Sequence, residues 1–514
     1  MTHAMRETRA GDRLRSAAAG LSAAVVGVGV AELVAAIVEP AASPFAVIGG
    51  GLIDLAPAWA KDTAIALFGT GDKIALITGI ALVLAVVAAG AGILELRRSG
   101  LGATILGGLG ALAVVAAMIR PGAGPFAWLP GIVAGVVAVV ALRLLIRRLR
   151  PIAGLRPDGV DRRRFLVWTA GAAAVGVATL IVGNVARGAT RSIDAVRSAL
   201  QLPKAASAAP PVPAGADLDI PGLAPVVTPN AEFYRIDTAL IVPRIDPADW
   251  SLRIHGMVDR EVVISWDELL ALPMQEADVT LACVSNTVGG DLIGNARWLG
   301  HPVRELLARA GVSADADMVL STSADGFTAS TPLEALIDDR DALFAIGMNG
   351  EPLPMEHGFP VRMVVPGLYG YVSATKWVTQ LEVTRFDRAT AYWTTRGWSD
   401  HGPIKLQSRI DVPRGGGSVE PGETVIAGMA WQQHVGVDGV EVRIDGGDWQ
   451  RAELADAIST DTWVQWRLPW TAQSGRHTLE CRAIGADGKT QTDQPAAPAP
   501  DGAQGWHRVE VSVA

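Results

Sequence analysis

Cysteine is nearly missing from this chain: 514 residues hold two, Cys283 and Cys481. One thiol in each of two differently textured regions leaves no disulfide framework, and no cysteine motif for haem attachment or an iron–sulfur cluster is present. Histidine is scarce as well, at eight, with His3 in the N-terminal tail and the others beyond residue 250. The apolar first 200 residues therefore offer no pair of histidines for a bis-histidine haem. No Rossmann glycine fingerprint and no Walker loop occurs. Cations are few where nucleic acid would need them: after residue 200 the chain carries 24 Lys and Arg against 41 Asp and Glu. So acidic a surface does not neutralise phosphates, and nucleic acid is excluded as a partner.

Apolar character is what the chain has in abundance. Half of the residues are hydrophobic, and the long runs crowd the N-terminal part. Residues 18–38, 74–94, 102–119, 126–146 and 165–186 are each nearly free of charge and about as long as a bilayer core demands, which predicts five transmembrane helices. Residues 43–68 are apolar too, but Asp54, Pro57, Lys61 and Asp62 interrupt them, which suits an interfacial or re-entrant segment better than a sixth span. Arg6, Arg9, Arg13 and Arg15 precede the first run, Arg97 and Arg98 follow the second, and the densest cluster, within 143–164, joins the fourth to the fifth. Five spans put all three clusters on the cytoplasmic side of the cell membrane and everything after residue 186 outside. The run DRRRFLVWTAGAAAVG (161–176), with Arg162 and Arg163 before a small-residue apolar stretch, reads equally as a twin-arginine export signal or a positive-inside anchor.

The chain divides by texture into a membrane domain (1–190), a linker (191–224), an α+β domain (225–403) and a β-sandwich of immunoglobulin-like type (404–514). A short amphipathic helix is expected at 193–202, and KAASAAPPVPAGA (204–216) reads as a semi-rigid spacer. WSLRIHG, DVTLACV and WVTQLEVTRF carry strand signals, whereas PVRELLARAG carries a helical one. Beyond residue 404, runs such as TVIAGMAW, GVEVRIDGG and RHTLECRAIG recur between Gly, Asp and Pro turns. Cys481 lies inside one of these strands and reads as a packed core thiol.

Cys283 keeps different company, in TLACVSNTVGGDLIGNARWLG (280–300). Its residues alone leave three readings: a nucleophile, a ligand for a soft transition metal, or a small buried hydrophobe. The order of motifs resembles the sulfite oxidase family of molybdenum enzymes. It comprises Thr280, Leu281, Cys283 and Asn286, then Asn295 through Trp298 and Gly300, then NGEPLPMEHGFPVRMVVPG (349–367), KWV (376–378) and YWTTRGW (392–398). The resemblance spans about residues 225–512. It implies an α+β molybdopterin domain followed by a dimerisation-type β-sandwich, a molybdenum–molybdopterin cofactor, and a two-electron oxygen-atom transfer.

Within that resemblance Cys283 takes the place of the protein thiolate on the metal. His357 and Arg362 match cofactor contacts, Lys376 matches the lysine at the phosphate with a one-residue shift, and Ser373 is its companion. Arg235 matches the arginine near the metal, and Asn230 and Asp325 add hydrogen bonds. A pterin cofactor is inserted in the cytoplasm, so its domain must cross the membrane folded, which favours the export reading of Arg162 and Arg163. Two departures bear on substrate. Trp398 stands where sulfite-oxidising members have a tyrosine, and Thr287 and Val288 stand where they have arginines for the anion. Arg396 restores positive charge in part, and Trp398 and His401 suit a neutral or organic substrate such as a sulfoxide. A surface aromatic without a role is an equal reading of Trp398.

The expected partners are a small-molecule substrate, the lipid bilayer, and a separate redox partner, either a membrane cytochrome or a soluble carrier. The resemblance adds homodimerisation through the sandwich, with an anchored monomer as the alternative. The rival from another class is a non-catalytic extracytoplasmic binding module on a membrane anchor. A transporter with a sensor is disfavoured, because Glu32 is the main charge within the spans.

Overall fold

The computed structural model describes residues 2–38, 42–55, 63, 72–120, 123–149, 159–189 and 192–514. They form two compact units, Met1–Ala195 with Thr238–Pro243, and Val196–Asp237 with Arg244–Ala514.

The first unit is helical. Among the described residues, four stretches are long and apolar enough to cross a membrane: Gly11–Val38, Ala75–Arg97, Leu101–Met118 and Leu129–Leu149. The region expected as a fifth span is the helix Gly159–Ala189, which contains the shorter apolar stretch Val167–Val182. The side chains of Arg162 and Arg163 lie outside the described residues. Of the interrupted segment at 43–68, Pro44–Leu55 is a helix, whereas 56–62 and 64–68 lie outside the described residues. Small residues set the helix spacing: a methyl on Gly20 would collide with the carbonyl of Ala88, and one on Gly92 with that of Ser16. The buried Glu32 carboxylate accepts the Ser43 hydroxyl at 2.8 Å and the Phe45 N–H at 3.3 Å. It thus sits at the positive end of the helix Pro44–Leu55, where a negative group is favoured.

The second unit begins with β1 (Ser251–Gly256), β2 (Val262–Ser265), β3 (Gln275–Ala282), β4 (Ile293–Pro302), β5 (Met318–Ser323), β6 (Thr328–Pro332), β7 (Leu343–Met348), β8 (Glu351–Pro352), β9 (Arg362–Val364) and β10 (Val378–Thr384). One sheet runs β2-β1-β10-β5-β6, the other β3-β4-β7-β8, with β9 added to β7. The part is mostly sheet rather than evenly α+β. Its helix Val303–Ala310 buries Val303, Leu306, Leu307 and Ala310 along one stripe, and Gly311 at φ 71° ends it after two turns. The helix Trp266–Leu270 is started by a reciprocal cap between Ser265 and Glu268.

The chain continues through β11 (Gln407–Val412), β12 (Ser418–Val419), β13 (Gly422–Trp431), β14 (Val437–Ile444), β15 (Gln450–Arg451), β16 (Glu453–Leu454), β17 (Val464–Ala472), β18 (Gly475–Gly485) and β19 (His507–Val513). Two sheets, β11-β13-β17-β16 and β12-β19-β18-β14-β15, enclose a core of alternating inward residues such as Val440, Val442, Leu479, Cys481 and Ala483.

The stretch expected as a spacer is a strap lying along this unit. Ala206 donates to Met274 O at 2.7 Å, Arg297 holds Pro210 O at 2.7 Å, Asp456 donates to Gly215 O at 3.0 Å, and Trp463 holds Val226 O at 2.8 Å. Proline-rich extended backbone leaves its carbonyls unpaired, and the two β regions supply the donors. The amphipathic helix Ser192–Ala199 precedes the strap, and Arg197 donates to the carbonyls of Pro352 and Leu353, both at 2.7 Å.

Candidate functional site

β3 is apolar through Val279, Leu281 and Ala282, and Cys283 follows at its end, buried. The chain then loops back into β4. The base of that loop is closed by its own backbone: Cys283 N–H donates to Leu292 O at 2.9 Å and Asn286 N–H to Cys283 O at 3.0 Å. The Asn286 side chain accepts the Leu292 N–H at 3.0 Å, so the asparagine three residues past the cysteine staples the loop. β3 and β4 pair with Thr280 opposite Asn295, and the two side chains bond at 3.0 Å. The two motifs around residues 280 and 295 are therefore one antiparallel ladder.

A histidine and two cations converge from three other segments. His357 ends the 3-10 turn Met355–His357, Arg362 opens β9, and Lys376 lies two residues before β10. The Arg362 guanidinium lies 4.9 Å from the Trp298 ring centre and donates to His357 O at 3.1 Å. Lys376 Nζ donates to Asp237 Oδ2 at 3.0 Å and to Glu356 O at 2.9 Å, and Arg235 Nε reaches the same Asp237 oxygen at 2.9 Å. His357 Nε2 faces Asn230 O at 3.3 Å, while the Asn230 side chain bonds Met348 O at 3.2 Å and Asn349 at 2.8 Å. Phe233 packs edge-on against His357 and Trp298.

Burial dominates the electrostatics of this group. It pulls His357 down to about 3, helped by Lys376 and Arg362, so the ring is neutral near pH 7. It lowers Lys376 to about 8 against the attraction of Asp237, and Arg362 to about 10. Burial raises the Cys283 thiol, and hydrogen bonds from Ser285 and the charge of Lys376 pull it back. Tyr234 is raised by burial and by the Cys283 charge, and Tyr369 goes up to about 12 for the same reasons.

Asn230, Arg235, His357, Arg362 and Lys376 are thus neighbours, and Cys283 interacts electrostatically with Lys376. Other expected residues are held in local structure. The Asp325 carboxylate accepts the Phe327 N–H at 3.2 Å across the β5–β6 turn. The Ser373 hydroxyl donates to Tyr369 O at 2.9 Å and Leu368 O at 3.2 Å. Trp398 is no surface aromatic: it is buried between Tyr371 and Trp393, because the segment around it folds back on the core. Arg396 lies 3.5 Å above the Tyr392 ring and donates to Tyr392 O at 2.7 Å. His401 is half exposed, stacked on Phe386 and bonded to Asp400 at 2.8 Å. Asp237, Tyr234 and Tyr369 were missed by motif reading, although YRID places Tyr234 and Asp237 on either side of Arg235.

Residues 239–393 match the family model described as the oxidoreductase molybdopterin binding domain. The mitochondrial sulfite oxidase of Macaca fascicularis is 31% identical over 341 residues, covering 56% of this chain and 62% of that protein. The chain thus spans about three-fifths of the mitochondrial sulfite oxidases it matches. Sulfite oxidase of Gallus gallus is 30% identical over 322 residues, covering 52% of this chain and 69% of that one. Among solved structures, the sulfane dehydrogenase SoxCD from Paracoccus pantotrophus aligns at a TM-score of 0.48 with 24% identity, over 56% of this chain and 84% of that one. With the matched domain carrying Cys283, Arg362 and Lys376, the chain belongs to the sulfite oxidase family of molybdopterin-binding oxidoreductases.

Proposed function

We infer that the chain is a membrane-anchored molybdopterin-dependent oxidoreductase whose metal is ligated by Cys283, and that it transfers an oxygen atom to or from a small sulfur or other oxo compound. The observation that carries this reading is the convergence of Arg235, His357, Arg362 and Lys376 near a lone buried cysteine. The residues fit an anionic pterin. Arg362 is buried and has no carboxylate partner among the described residues, and the buried Nδ1 of His357 has no hydrogen-bond partner. A buried cation of that kind is costly unless an anion compensates it.

The bound cofactor would supply the two-electron chemistry. Arg362 and Lys376 would hold its phosphate, as planar fork and point charge respectively. Neutral His357 offers a ring nitrogen to a pterin edge without adding charge. Cys283, directly after β3, whose residues all pair with β4, is oriented by the loop that Asn286 closes. Thr287 and Val288 follow the cysteine motif and carry no charge, which supports a neutral or organic substrate such as a sulfoxide over sulfite. Electrons would pass to a separate redox protein. The four apolar helices support a membrane anchor, and the arginine clusters support an extracytoplasmic catalytic domain when the shorter apolar stretch Val167–Val182 crosses as the fifth span.

Elemental and pterin analysis of detergent-purified wild type beside Cys283→Ser tests this. Stoichiometric molybdenum and pterin in the wild type, with altered metal ligation and lost turnover in the variant, is expected. A folded wild type lacking both would leave a binding module. Faster turnover of sulfite than of any sulfoxide would overturn the substrate reading.

A further inference from the structure

β3 lies at the edge of its sheet, paired along its length with β4 and bridged on its other side by the strap only at Gln275, opposite Ser207. An edge strand needs partners for its open backbone groups. At Thr280, three residues before Cys283, those partners come from the C-terminal sandwich. Thr280 N–H donates to Asp461 O at 3.0 Å, and Thr280 O accepts from Gln433 Nε2 at 3.1 Å. The Thr280 hydroxyl accepts the Trp463 N–H at 2.9 Å while donating to Asn295 at 3.0 Å. Thr280 is fully buried, so each of these bonds is shielded from water.

The sandwich grips the chain a second time beyond the thiol. Arg409 of β11 donates to Gly290 O at 2.8 Å. Its guanidinium is fixed by Asp411 at 2.7 Å, lies 5.5 Å from the Trp463 ring centre, and is 9% exposed. His507 of β19 accepts the Ile410 N–H at Nδ1, at 2.9 Å, and turns its other ring edge to Gly289. Gly289 has φ 76°, and a side chain there would run into the His507 ring.

We propose that the C-terminal sandwich is a positioning clamp for the Cys283 thiol, with Thr280 held by Asp461 and Trp463 on one side and Gly289 and Gly290 held by His507 and Arg409 on the other. The loop's own bonds close its base at Cys283 and Leu292 and tie the Gly290 N–H to Thr287 O at 2.9 Å, but the Gly290 carbonyl is held from the second domain. The direction in which the thiol points is thereby set by residues more than a hundred positions along the chain. The relevance of the clamp to catalysis rests on the metal-ligand reading of Cys283; its existence does not.

The test uses the full-length, detergent-solubilised chain prepared without pterin and a small aromatic disulfide as thiol probe. Cys481 is the internal reference, since it is fully buried in the sandwich and bonded to Ser408, the residue beside Arg409. In Arg409→Ala and Thr280→Val, Cys283 should react roughly tenfold faster, the scale of losing one buried or charge-assisted bond, with the Cys481 rate unchanged. Thr280→Ser keeps the hydroxyl and should react like the wild type, and Arg409→Lys should fall between. An unchanged Cys283 rate in both loss variants would overturn the clamp, as would equal acceleration of both thiols, which signals general loosening. Molybdenum content is measured separately, so a chain that never binds metal sinks the functional reading while the labelling still decides the clamp.

Discussion

The two cysteines occupy opposite electrostatic settings, although both are buried. Around Cys481, burial pushes the thiol up to about 12, and Asp411 and Glu480 push in the same direction against one bond from Ser408. Around Cys283, burial also raises the thiol, but Ser285 and Lys376 oppose it. Desolvation alone therefore does not separate a core thiol from a candidate metal ligand; the sign of the surrounding charge does.

The largest effect expected from breaking this contrast is on turnover. Cys283→Ser should lower it by about a thousandfold or more, given the several kcal/mol that metal ligation controls, whereas Cys481→Ala should leave steady-state rates unchanged and cost about 1–2 kcal/mol of unfolding free energy. A Cys481 variant that lost turnover while folded would erase the distinction.

Removing the counter-charge comes next. Arg362→Met should cut pterin retention roughly 10- to 100-fold, read from fluorescence of released pterin after gel filtration, because a charge-assisted contact is lost. Calorimetry of the same cofactor-free variant should show stability unchanged or raised, since a buried cation without a carboxylate partner disappears. A large fall in stability would show that Arg362 serves the fold rather than the anion.

Lys376 gives a dependence on pH. Its folded pKa, about 8, lies below the ordinary lysine range. Between the two the unfolded chain binds more protons, so the cofactor-free fold should gain stability as pH rises through that window. Anion retention should move the other way, weakening as pH rises through about 8, because only the charged amine holds phosphate. Lys376→Met should flatten both profiles, and a pterin-retention curve with no inflection near pH 8 would remove Lys376 from the phosphate contact.

The smallest effect belongs to the sandwich. Ser408→Ala loses its bonds to Cys481 at 3.3 Å and Gln491 at 2.8 Å. It should cost about 1 kcal/mol by thermal unfolding without changing the Cys283 labelling rate.

Much of the site was legible as a string because its parts are short and local. Cys283 with Asn286 is one loop staple, and HGFPVR brings His357 and Arg362 to one turn and the strand after it. The surface reading of Trp398 fails because a linear motif carries no depth: the same YWTTRGW segment leaves Arg396 on Tyr392 and packs Trp398 against Tyr371. Asp237 escaped notice because a lone carboxylate acquires meaning only when Arg235 and Lys376, 141 positions apart in the chain, meet on it.

By itself, then, the sequence determined the apolar runs that separate a helical unit from a β-rich one, the strand that ends in Cys283, and the cations that belong to the family's motifs, because period, charge and motif order are local properties. Only the tertiary structure decided that the proline-rich stretch is a strap rather than a spacer, that Asp237 joins two cations, and that Thr280 and Gly290 are held by a different domain. Each of these depends on which backbone donors and charges from distant parts of the chain are brought within about 3 Å of one another, and hydrogen bonds of that reach have no signature along the chain.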